Sequence, residues 1–129
     1  MSLKKDREPA MSTRERRQAP RVDVNLPITV EGGTAEVSGK TLNISTNGIY
    51  FESPRYMEPL TRVMMSLVIQ DGALGKGRGG KVQFDGIVVR VEPEERSSDV
   101  LSYRVAVFFT RVPEQSMAIL REFVEKSLQ

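Results

Sequence analysis

Apolar and polar residues alternate along most of the chain. Val24, Leu26, Ile28 and Val30 are interleaved with Asn25, Pro27 and Thr29, which predicts a half-buried strand. Pro27 has no N–H to donate, so that strand should have an unpaired side at this point. Gly32-Gly33 signals a hairpin, and Thr34 to Leu42 reads as the return strand. Its apolar parity runs through Ala35 and Val37 and then shifts to Leu42 and Ile44, which predicts a bulge at Gly39. After a tight connection from Asn43 to Gly48, Ile49 and Phe51 restart the alternation as far as Ser53-Pro54. Val63, Met65, Leu67 and Ile69 predict a fourth strand. Lys81 to Val91 predicts a long fifth strand broken in parity at Gly86, and Leu101 to Phe109 a sixth.

The period then changes. Pro113 is placed to open a helix at its first position, with Glu114 beside the positive helix end. Met117, Leu120, Phe123, Val124 and Leu128 form its apolar stripe. Six short strands in hairpin order followed by one helix predict a mainly β fold: a six-stranded antiparallel barrel with the C-terminal helix over one open end.

At 129 residues the chain suits one domain. It contains no cysteine and no histidine, which excludes disulfides and thiolate metal sites and removes the commonest catalytic base. No apolar run approaches the ~20 residues of a membrane span, and the N-terminal residues lack the apolar core of a signal peptide. A cytoplasmic location is therefore expected. Residues 1–21 carry a net charge of +4 and the remainder −2, so the positive field belongs to an N-terminal arm. Residues 1–13 are polar and aperiodic and are expected to be a flexible arm, with the folded domain spanning 14–129.

Within that arm, Arg14-Glu15-Arg16-Arg17-Gln18-Ala19-Pro20-Arg21 holds four arginines in eight residues. Guanidinium forks pair bidentately with phosphate, stack on aromatic rings, and match the O6 and N7 acceptors of guanine. Such a cluster suits an anionic, purine-bearing ligand; as an isolated feature it equally suits a solvated basic tail. Downstream lies Asn43-Ile44-Ser45-Thr46-Asn47-Gly48. In an extended segment Asn43 and Ser45 share a face while Ile44 points the other way. The Asn carboxamide can accept from a guanine N–H, and the Ser hydroxyl can donate or accept. Both types also serve turns without any ligand, and Gly48 suits a turn with positive φ or the close approach of a ligand.

Arg17-x-x-x-Arg21 and Asn43-x-Ser45-x-x-Gly48 together resemble the RxxxR and (D/N)xSxxG signature of the PilZ domain, a bacterial receptor for cyclic di-GMP. Both halves are intact and in order, and the resemblance runs from about Arg14 to the C-terminus. It implies a six-stranded barrel with a C-terminal helix. It also implies a ligand gripped by Arg17 and Arg21 at phosphates and bases and by Asn43 and Ser45 at one guanine, beside Gly48. Many members carry Asp where this chain has Asn43, and Asn gives up a charge-assisted acceptor. Many carry Gly where this chain has Ala106. Arg16 directly precedes the first motif, and the resemblance associates an arginine there with two stacked ligands instead of one.

Other features are weaker. Gly75-Lys76-Gly77-Arg78-Gly79-Gly80 formally matches GxGxxG but leads into a strand instead of a helix, so a hairpin loop is expected. Glu92, Glu94 and Glu95 have no histidine nearby and read as a solvated hairpin tip. Arg90 and Arg104 should face outward, either on a ligand surface or as solubilising charge.

A non-enzymatic receptor is the resulting expectation. It binds cyclic di-GMP through Arg16, Arg17, Arg21, Asn43, Ser45 and Gly48, needs no cofactor or metal, orders its arm on binding, and signals to an unidentified downstream protein. Motility and biofilm control are what the resemblance implies. One alternative is a ligand-independent interaction scaffold of the same fold. Another is a barrel for single-stranded nucleic acid, disfavoured because only eight aromatics are present and Phe51, Phe84, Tyr103 and Phe109 fall on core faces.

Overall fold

The computed structural model describes residues 19–32, 35–69 and 80–128. The strands are β1 (Val22–Asp23), β2 (Pro27–Gly32), β3 (Ala35–Ile44), β4 (Gly48–Ser53), β5 (Arg62–Ile69), β6 (Gly80–Glu92) and β7 (Tyr103–Arg111), followed by helix α1 (Glu114–Ser127). All pairings are antiparallel. The order β3-β2-β5-β6-β7-β4 is closed by pairing of β3 with β4, giving a six-stranded barrel to which the two-residue β1 is appended alongside β3.

The alternating apolar residues fill the barrel. Ile28, Val30, Phe51, Val63, Met65, Leu67, Val82, Phe84, Val88, Tyr103, Val105, Val107 and Phe109 belong to one buried cluster, joined by Leu120, Phe123 and Val124 of the helix. Each strand thus presents its other face outward, as a period of two requires.

Several local expectations are corrected. The first predicted strand divides at Val24–Leu26, where Val24 N–H donates to Leu42 O at 3.1 Å and Leu26 O accepts from Thr41 N–H at 2.8 Å. The β3 irregularity lies between Thr41 and Asn43, opposite that division, and not at Gly39. Gly39 pairs regularly with Ile28, and Thr41 is buried with no hydrogen-bond partner for its hydroxyl among the described residues. Leu101 precedes β7 and is 89% exposed. Pro113 is the N-cap, with ψ 152°, and Glu114 is the first helical residue. Ser116 takes a buried helix position while Leu128 is exposed. As expected from Pro27, the pairing of β2 with β5 begins only at Thr29.

The pairing of β6 with β7 ends at Asp85 and Arg111, and α1 packs on β6. There the Gln83 N–H donates to Ser116 Oγ at 2.9 Å, so a helix side chain takes the place of a strand partner. The expected arm (1–13), Arg16, Arg17 and the glycine-rich run 75–79 lie outside the described residues.

Candidate functional site

The outward faces of β3, β4, β7 and β6 form one open wall. Cross-strand register arranges it in rows. One runs Asp23, Asn43, Tyr50, Ala106, Arg90. On one side of it lies Lys40, Glu52, Arg104, Glu92, and on the other Gly48, Phe108, Ile87, Arg62. Directly paired residues sit ~4.5–5.5 Å apart at Cα, so each row is a contiguous set of side chains.

Arg21 stands just before β1, whose Asp23 pairs with Asn43. Its Nη1 donates to Asn43 Oδ1 at 2.8 Å. The two halves of the signature, 22 residues apart in sequence, thus meet on the outer wall. Asn43 presents a polar carboxamide beside a fixed cation, an arrangement that can take both a purine edge and a phosphate.

Ser45 is placed differently from its neighbour. β3 ends at Ile44, so the alternation that put Asn43 and Ser45 on one face stops there. Ser45 is 1% exposed. Its Oγ accepts from the Asn47 N–H at 3.0 Å and the Gly48 N–H at 3.2 Å, and its own N–H donates to Gly48 O at 2.9 Å. The turn is tied to β7 as well, since Phe109 N–H donates to Asn47 O at 2.8 Å. Gly48 does not take a left-handed conformation. A Cβ on it would stand 2.6 Å from Val107 O, so close approach of the β7 backbone demands glycine. Ser45 and Gly48 hold the turn, and the turn holds the end of β3.

Tyr50 and Ala106 were not singled out as site residues by the sequence. Their proximity to Asn43 arises from register across strands far apart in the chain, which a single sequence does not display. The Tyr50 hydroxyl donates to Glu92 Oε1 at 3.2 Å, and Arg90 pairs with Glu92 Oε2 at 3.0 Å. Arg90 and Arg104 do face outward on this wall, as alternation predicted.

Two of the concavities among the described residues lie elsewhere. One of about 560 Å³ occupies a mouth of the barrel, among Val63, Tyr56, Met57, Arg96, Val100 and Tyr103. Tyr56 packs edge-on to Tyr103 and beneath Arg96. Desolvation, and then the Glu58 carboxylate, raises the Tyr56 phenol above its ordinary value. The other, about 480 Å³, lies among Glu31, Arg62, Met64, Asp85, Ile87 and Thr110. Neither contains a residue of the paired signature. Of the signature, Arg21 and Asn43 occupy an open wall.

The PilZ domain model matches residues 15–126. No curated protein matches the chain. Among solved structures, the Bacillus subtilis inhibitor of motility (MotI/DgrA) is similar, with a TM-score of 0.66 at 15% identity. The likeness covers 88% of this chain and 52% of that one, so this chain spans about half the length of that neighbour. At that identity the likeness speaks for the fold, and the fold is the six-stranded barrel with a C-terminal helix described above. With a family model covering nearly the whole barrel and helix, the chain belongs to the PilZ domain family.

Proposed function

We propose that this chain is a non-enzymatic receptor for cyclic di-GMP. The observation that carries the reading is the Arg21–Asn43 hydrogen bond, which joins the two motifs of the family signature on an open face. PilZ domains are binding domains, and this wall offers what the ligand needs. Arg21, joined by Arg16 and Arg17 of the same arm, supplies guanidinium groups for phosphates and base faces. Asn43 accepts from a guanine edge, while Ser45 and Gly48 fix the turn that positions it. The bond between Arg21 and Asn43 is exposed, so it can be exchanged for bonds to the ligand.

Binding then ties the arginine arm to the barrel wall and alters the face offered to a downstream protein, as a shift between two states of one surface. MotI/DgrA is described as an inhibitor of motility; control of motility through such a partner is part of this reading. Amide exchange across residues 14–21 should slow at saturating ligand. Unchanged exchange there would contradict the ordering step.

Calorimetry with cyclic di-GMP, with GMP and GTP as controls, tests the binding itself. A mononucleotide satisfies only part of the site, so selective binding of the cyclic dinucleotide is expected. Equal affinity for GMP would sink the reading. No binding of any of them, by a folded protein, would favour the ligand-independent scaffold.

A further inference from the structure

Tyr50 lies across the wall beside Asn43. It is carried on β4, directly opposite Asn43 on one side and Ala106 on the other. Its hydroxyl reaches Glu92 on β6, two strands away, with β7 in between. Adjacent strands are ~4.8 Å apart, so a bond spanning two of them requires the phenol to extend along the sheet. A ring standing upright on β4 would not meet Glu92. The ring therefore leans over β7, where Ala106 has only a methyl group to put beneath it. Alanine at this outward position is what leaves room for the crossing.

The tether is itself held. Glu92 accepts Tyr50 at Oε1 and Arg90 at Oε2, so both carboxylate oxygens are engaged. Tyr50 is half-buried. Among the described residues the ring contacts are Tyr56–Tyr103 and Phe84–Phe109, and the guanidinium contact is Arg96 on Tyr56; none involves Tyr50.

We propose that Tyr50 is a stacking platform for a guanine of the bound cyclic dinucleotide, resting on the reading of this wall as the cyclic di-GMP site. The geometry supplies both contacts that a base requires. A base stacked on the Tyr50 ring and extending back over β4 brings its edge to the Asn43 carboxamide, which lies opposite Tyr50 in the same cross-strand row. Face and edge are thus read by two side chains at adjacent positions. Stacking is indifferent to which base is present, so Tyr50 supplies affinity and Asn43 supplies the choice of guanine. Glu92 and Arg90 act as positioning residues that keep the ring down.

The test compares cyclic di-GMP affinity in the wild type, Tyr50→Leu, Tyr50→Phe and Ala106→Leu, alongside their melting temperatures. Loss of one stacked base is expected to weaken Tyr50→Leu about 10- to 100-fold. Tyr50→Phe keeps the flat face and should stay within about threefold, consistent with the hydroxyl bond only orienting the ring. Ala106→Leu removes the space under the ring and should approach Tyr50→Leu. In the wild type, proton NMR should show the Tyr50 ring resonances, assigned by their absence in Tyr50→Phe and Tyr50→Leu spectra, moving upfield as the base settles on them. A folded Tyr50→Leu that binds like wild type, or ring resonances unmoved at saturation, overturns the platform while the receptor reading stands. If Tyr50→Leu fails to fold, the ring shifts, assigned from the Tyr50→Phe spectrum, still decide. A folded wild type that binds no cyclic di-GMP overturns both.

Discussion

Asn43 and Ser45 are two residues apart in one short motif, yet one stands on an open wall and the other is enclosed by a turn. Asn43 gives its oxygen to an arginine from a distant part of the chain. Ser45 gives its oxygen to two backbone amides two and three residues ahead. The first bond is exposed and exchangeable; the second satisfies the buried Gly48 amide and the part-buried Asn47 amide. A motif can thus hold an exposed, exchangeable contact and the scaffold that positions it in the same six residues, and spacing alone does not separate them.

The sharpest way to test this division is on the open side. Arg21→Ala should weaken cyclic di-GMP binding by about 100-fold or more, since it removes a charge-assisted contact. The side chain is outside the core, so folding stability should move by no more than about 0.5 kcal/mol. Arg17→Ala is expected to behave in the same way. Calorimetry and thermal melting together read both quantities, and a large drop in melting temperature of the free protein would make these arginines structural.

The turn should respond in the opposite sense. Gly48→Ala forces a Cβ against Val107 O and should cost about 1–3 kcal/mol of stability. Ser45→Ala leaves the Asn47 and Gly48 amides without their acceptor, at about 1–2 kcal/mol. Both should melt several degrees earlier. When still folded, Ser45→Ala should retain affinity within a few-fold. If it melts normally but fails to bind, Ser45 contacts the ligand directly and the division between the two residues collapses.

Arg16→Leu should have the smallest energetic effect and a distinctive one. Two stacked dinucleotides need more positive charge and a further flat surface than one, and a third guanidinium supplies both. Two ligands per chain are expected for the wild type and one for the variant, with single-ligand affinity largely kept. Calorimetric stoichiometry of one for both proteins would remove Arg16 from the site while leaving Arg21 in place.

Much of the barrel was legible because period-two alternation is a local signal. Val63 to Ile69 and Tyr103 to Phe109 bury the residues that the pattern marks. The β3 bulge was misplaced because two inward positions on this strand are not apolar. Gly39 and Thr41 keep the inward parity after Val37, so the slip falls beyond them, between Thr41 and Asn43. Pairing of the two motifs was legible from their resemblance to a family, and Arg21 and Asn43 do meet. The orientation of Ser45 was not, because the rule that places alternate residues on one face lapses where the strand ends. Tyr50 was hidden for another reason. Its significance depends on Asn43 and Ala106 in its own cross-strand row and on Glu92 in the next, and such pairings leave no periodic trace in the sequence.

The junction of β6 with α1 has a consequence for handling and for evolution of the domain. From Gly80 to Phe84, β6 has no strand partner among the described residues on the side where β7 would continue, and the helix packs against that side. An uncovered strand edge is a template for another chain. The C-terminal helix therefore acts as a guard against intermolecular sheet growth as well as a lid on the core. Shortening the chain after Arg111 would expose both Phe84 and an adhesive edge, so the expected product is insoluble assemblies in place of a weakened monomer. Fusions that pull on the helix from its C-terminal end carry the same hazard.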